Sequence, residues 1–199
     1  MIKDPITKDV TFDMRTTEVR QHFMDATRDF VPWFEKEFGT PMFLIYGTSV
    51  GACRDHKLIG HDYDIDLAYL IDETDTEKLW QKVDHVFNTL KAQGRVKSRF
   101  DDGHGHVLSL DKEIVLDIWP AWFDVNGKLS VVGAYRDRLT REDILPLQPC
   151  TLEGYEFSIP RDYDKFITDY YGKNWRIPDK KYTYTSPRGG RVALPKRIK

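Results

Sequence analysis

The run Asp64-Ile65-Asp66-Leu67-Ala68-Tyr69-Leu70-Ile71 is too apolar for a loop, and two of its first three residues are carboxylates. Read as a strand, it sends alternate side chains to opposite faces, so Asp64 and Asp66 project from one side as neighbours. Like charges held together repel, and burial would push one of them to protonate. With Asp62 two positions earlier, three acids in five residues need a compensating charge. Mg²⁺ suits the need, with Mn²⁺ as its alternative, because hard cations take carboxylate oxygens and complete their shell with phosphate and water. The competing reading is a solvated edge strand or an aspartate-rich turn, and an Asp-x-Asp by itself does not decide between them.

A second run, Glu113-Ile114-Val115-Leu116-Asp117-Ile118-Trp119, places Ile114, Leu116 and Ile118 on one face of a strand and Asp117 on the other. An unpaired charge in so apolar a setting is costly, so Asp117 should have a partner. If this strand lies beside the first, three carboxylates converge and can hold one or two metals for phosphoryl or nucleotidyl transfer. The third element is Tyr46-Gly47-Thr48-Ser49, at a turn from the apolar run Met42 to Tyr46 into a helix. Glycine lets a backbone approach a phosphate, and the open N–H groups at a helix start favour an anion. The hydroxyls of Thr48 and Ser49 add donors, and Arg54, a turn or two further on, can reach a phosphate with its fork of N–H groups.

The remaining pattern is mixed. Apolar residues at Val19, Phe23, Ala26, Phe30, Phe34 and Phe38 predict a helix over 16–38 ended by Gly39, with a kink or break near Val31 because Pro32 removes a backbone bond. Thr74-Asp75-Thr76-Glu77 has capping-box spacing and opens a helix closed by Gly94. Strands follow over 95–100, 106–110 and 114–119, with an Asn126-Gly127 hairpin returning over 129–134. A Glu153-Gly154 turn then joins two short strands, and a helix over 162–171 stops at Gly172. The fold class is therefore α/β (α+β), a mixed sheet flanked by helices with a C-terminal helical addition. His104-Gly105-His106 beside Asp101-Asp102-Gly103 reads as a hairpin loop, and Tyr163, Tyr170, Tyr171 and Trp175 read as core.

Composition enters through charge. Residues 180–199 hold seven Lys or Arg and no acid, so the formal total of −2 leaves −9 on residues 1–179. The expected organisation is one domain over 1–179 with a basic tail, and an acidic body argues against a nucleic-acid platform. The longest stretch without a charge, Phe38 to Cys53, is 16 residues, short of the roughly 20 that a spanning helix needs. The start Met1 to Pro5 lacks the apolar core of a secretion signal, and Cys53 and Cys150 match no metal or disulfide spacing; a reduced, cytoplasmic protein is expected.

Gly47-Thr48, then Asp64-Ile65-Asp66, then Asp117 resembles the signature of the nucleotidyltransferase superfamily. More narrowly, Tyr46 to Arg54 followed by Ile59 to Asp66 is similar to the LicD/fukutin-type branch, whose core reads roughly G-T-L-L-G-A-x-R and I-P-W-D-D-D-I-D. Leu116-Asp117-Ile118-Trp119-Pro120 is similar to its L-D-I-F-P, and Leu152-Glu153-Gly154, Ile159 to Tyr163 and Tyr171 to Pro178 to its closing pattern. Gly60, His61 and Tyr63 stand where that branch carries Pro, Trp and Asp, so Asp62 is assigned to substrate rather than metal.

The resemblance implies a Mg²⁺-dependent phosphotransferase that moves a phospho-alcohol, such as phosphocholine or phosphoribitol, from a CDP-activated donor to a glycan or polyol hydroxyl. Asp64, Asp66 and Asp117 would be its catalytic metal ligands, and Gly47, Thr48, Ser49, Arg54 and Asp62 its substrate contacts. Two alternatives stay open: a nucleotidyltransferase moving NMP from an NTP to a small molecule, and a catalytically silent glycan- or nucleotide-binding module.

Overall fold

Amphipathic spacing and its caps account for the first long element. Helix α1 spans Thr17–Phe38; the Thr16 side chain accepts from the Val19 N–H at its start, and Gly39 ends it with φ 64°. The expected break at Pro32 does not occur, and α1 is one continuous helix. Pro32 lies on its exposed side, where solvent can take the carbonyl that a missing N–H releases, while Phe30 and Phe34 on either side are buried. The computed structural model describes residues 10–100, 103–108, 114–133, 138–179 and 192–197.

Strand β1 (Met42–Leu44) leads into helix α2 (Tyr46–Asp55), then β2 (Ile65–Ile71), helix α3 (Thr76–Ala92), β3 (Val96–Arg99), β4 (Gly105–Leu108), β5 (Val115–Phe123) and β6 (Leu129–Val131). Asp75, not Thr74, caps α3, accepting from the Lys78 N–H. These strands form a six-stranded sheet in the order β1-β2-β5-β4-β3, with β6 also on β5. Among the described strands, β2 and β5 make the parallel pair, and the other pairings are antiparallel. Strand β5 runs past its expected end at Trp119. Pro120 is tolerated because it falls where β4, paired up to Ile118, has ended and β6, paired from Ala121, has not begun.

Alternation sorts the two faces. Ile65, Leu67, Tyr69, Ile71, Leu116 and Ile118 pack with α1 and α3 in one apolar layer. Ala68, Leu70, Ala121 and Phe123 face a second layer that includes Val50 of α2 and Ile144, Phe166 and Ile167. That second layer is built by helix α4 (Arg141–Ile144) and helix α5 (Tyr163–Tyr171), which flank a hairpin of β7 (Gln148–Leu152) and β8 (Tyr155–Ile159). The hairpin also meets the end of α2. The Glu153 N–H donates to the His56 carbonyl, and the thiols of Cys53 on α2 and Cys150 on β7 are free and hydrogen-bonded to each other.

Of the basic tail, 180–191 and 198–199 fall outside the described residues, as do Ala134, Asp101, Asp102, Ser109 and Leu110 of the predicted hairpins and strands. Residues 192–197 pack onto the body. Val192 and Leu194 are buried, the Trp80 Nε1–H donates to the Pro195 carbonyl, and Arg197 pairs with Asp84.

Candidate active site

The parallel register of β2 and β5 sets Asp66 opposite Asp117. Both lie on the face that carries Ala68 and Ala121, the side covered by α2, and Asp64 joins them from the position just before β2. One oxygen from each of the three carboxylates lies within 4.8 Å of the others, with Asp66 and Asp117 only 8% and 5% exposed. This is the convergence expected of two neighbouring strands carrying acids at matched ends.

Asp62 closes in from the loop before β2. Its Oδ1 accepts from the Tyr63 N–H, its carboxyl is hydrogen-bonded to that of Asp64, and a Cβ on Gly47 would run into its Oδ2. Gly47 is therefore required by a carboxylate of the chain itself. The loop is held from the N-terminal side by a 3₁₀ turn at Phe12–Met14, where the Phe12 and Asp13 N–H groups donate to the carbonyls of Asp62 and Gly60.

Packing these groups together raises their proton affinity. Burial, then the charges of Asp62 and Asp117, push the Asp64 carboxyl up to about 9. Burial, then the charges of Asp64, Asp117 and Asp62, hold Asp66 well above the usual carboxylate range, against a hydrogen bond from Trp119. Burial likewise raises Asp62, and the Tyr63 hydroxyl, itself pushed up by burial and by the Asp64 charge, bonds to Asp64. Among the described residues no lysine or arginine forms an ion pair with Asp62, Asp64 or Asp66. An all-oxygen donor set, buried and short of positive charge, fits a hard divalent cation.

Helix α2 begins against this cluster. Tyr46 enters at φ 47°, and the Ser49 N–H bonds to the Ile45 carbonyl. The N–H groups of Gly47 and Thr48 have no partner among the described residues, so the positive end of the helix opens beside the acids. The hydroxyls do other work. Thr48 Oγ1 accepts from the Asp66 N–H at 3.0 Å, and Ser49, fully buried, donates from Oγ to the Tyr46 carbonyl at 2.8 Å. Arg54 is not brought to the cluster; it stands near the far end of α2 with Nε 2.6 Å from Asp55 Oδ2.

Two side chains at the cluster are not among the expected site residues. The Trp119 Nε1–H donates to Asp66 Oδ1 at 2.8 Å, and His104 Nε2 lies 3.3 Å from Asp117 Oδ2. Their rings stack at 3.4 Å with 6° between planes. His104 lies, as expected, in the hairpin connection between β3 and β4, but it is buried there, because β4 lies antiparallel to β5 with Gly105 opposite Ile118. Period-two alternation places Trp119 on the face of Asp117 and could have flagged it; the register that brings His104 there is not written locally. Trp175 is buried in the second layer, and Tyr163, Tyr170 and Tyr171 pack against that layer, as read from their spacing.

Residues 39–162, which contain every acid and the helix start just described, match the family model described as LicD/FKTN/FKRP, nucleotidyltransferase domain. The chain belongs to this family. Membership in LicD/FKTN/FKRP and the mixed sheet make it a transferase of nucleotidyltransferase-like fold. The resemblance at Tyr171 to Pro178 lies beyond the matched residues. No curated protein matches the chain. Among solved structures, the crystal structure of ANT(2")-Ia in complex with adenylyl-2"-tobramycin is similar at 15% identity and TM-score 0.42, over 78% of this chain and 81% of that one. No helix among the described residues is long and apolar enough to cross a membrane.

Proposed function

We propose that the protein is a divalent-metal-dependent phosphotransferase that moves a phospho-alcohol from a CDP-activated donor to a glycan or polyol hydroxyl. The observation that carries this reading is the meeting of Asp64, Asp66 and Asp117 beside the open N–H groups of Gly47 and Thr48. The three carboxylates would hold Mg²⁺, which supplies charge neutralisation on the phosphoryl oxygens when bound. The N–H groups of Gly47 and Thr48 bind the donor pyrophosphate at the helix start. The acceptor hydroxyl attacks the phosphorus bearing the alcohol; a new P–O bond forms, the pyrophosphate bridge breaks, and CMP leaves. The acceptor proton goes to a carboxylate oxygen of Asp117. Asp62, packed against Gly47, stands beside these groups as a substrate contact.

The test is incubation with Mg²⁺ or Mn²⁺, a polyol or glycan acceptor and, separately, a panel of CDP-alcohols and of NTPs, with released CMP and pyrophosphate measured. Metal-dependent CMP release is expected. Pyrophosphate release from an NTP in its place would assign nucleotidyl transfer, and no release with any donor would leave a binding module.

A further inference from the structure

Trp119, half-buried, is held by three described neighbours. One ring face stacks on His104, and Tyr46 meets it edge to face with centroids 5.0 Å apart. Tyr46 is itself fixed by its hydroxyl, which donates to the Val132 carbonyl at 2.6 Å, and Gly133 packs against both rings. These contacts hold the indole with its Nε1–H aimed at Asp66 Oδ1, 2.8 Å away, with no ligand present. His104, the other half of the stack, reaches Asp117 Oδ2. One indole–imidazole pair thus touches both acids of the parallel seam, using one oxygen of each.

We infer that Trp119 is a positioning residue that presets the Asp66 carboxylate for metal, with His104 as the support that keeps the indole in place. The inference rests on the metal reading of the preceding subsection. Partners that orient metal ligands in this way typically contribute 10- to 100-fold in metal affinity when removed. Trp119→Phe keeps an aromatic ring for the stack and removes the indole N–H.

Isothermal titration of the metal-free protein with Mn²⁺, alongside turnover as a function of Mn²⁺ concentration, tests it. Trp119→Phe should raise the Mn²⁺ Kd at least about tenfold, with turnover restored by excess metal to near the wild-type kcat, a rescue that general structural damage would not show. In an Asp66→Asn background the same substitution should add nothing further, because its target charge is gone. If Trp119→Phe shows no cooperative unfolding transition, His104→Gln takes its place and should weaken Mn²⁺ binding by removing the stack. A folded variant that binds Mn²⁺ within twofold of wild type overturns the inference alone; a wild-type protein that takes up no Mn²⁺ removes the metal reading and the inference with it.

Discussion

The helix start and the strand ends meet at one site but treat their polar groups in opposite ways. At the start of α2, the Thr48 and Ser49 hydroxyls are spent inside the chain, one tying β2 to the helix and the other closing the first turn. At the ends of β2 and β5, Asp64 and Asp66 crowd against Asp62 and Asp117, whose charges add to burial in raising the proton affinity of both. A satisfied hydroxyl contributes to the fold whether or not ligand is present. A buried carboxylate cluster weakens the fold unless something positive arrives, and a feature that burdens the empty protein points to what the filled one does.

Three experiments press on that contrast. The largest effect belongs to Asp66→Asn, which keeps the side-chain volume and removes the charge. Turnover should fall by about 10³-fold, since metal-based charge stabilisation is worth several kcal/mol. The unfolding temperature of the metal-free protein at pH 8 should rise at the same time. A variant that retained turnover, or lost stability without metal, would erase the distinction between the two regions.

The second is a pH series. Asp64 titrates near 9 in the folded chain, and an unfolded aspartate titrates near about 4. The folded state therefore binds more protons between these values, so stability is fully present below the unfolded value and drains away as pH rises through about 9. The metal-free unfolding temperature should fall from pH 5 to pH 9, and saturating Mg²⁺ should flatten the decline. A flat metal-free profile would mean the acids do not burden one another.

The smallest effects lie at the hydroxyls. Thr48→Val strands the Asp66 N–H and should cost about 1–3 kcal/mol of stability, whereas Ser49→Ala should cost about 1 kcal/mol. Both are read from thermal unfolding. Ser49→Ala should leave turnover near wild type, and a large loss of turnover with an unchanged unfolding temperature would move that hydroxyl from the fold to the substrate.

What the sequence disclosed follows the range of the interactions involved. Asp64 and Asp66 share a face by strand alternation, and Asp117 stands opposite Leu116 and Ile118 for the same reason, so the acids were legible one strand at a time. Their adjacency was not, because β2 and β5 are separated in sequence by α3, β3 and β4. The helix stops at Gly39 and Gly172 are local and were readable. Pro32 and Pro120 misled because their cost depends on which carbonyl or neighbouring strand faces the missing N–H. Thr48 and Ser49 looked like phosphate donors because a hydroxyl's partner is chosen in three dimensions. The Cys53 and Cys150 contact escaped spacing arguments for the same reason.

The parallel seam has a bearing on the order of assembly. In the only stretch of described sheet where neighbours run the same way, Asp66 must wait for a strand 51 positions later before it meets Asp117. Closing so long a loop is slow and entropically unfavourable until the intervening hairpin and helix have condensed. A nascent or truncated chain ending before β5 would thus offer a cation only half a site, and metal uptake would mark completed pairing at the centre of the sheet, drawing the population toward the finished fold by mass action.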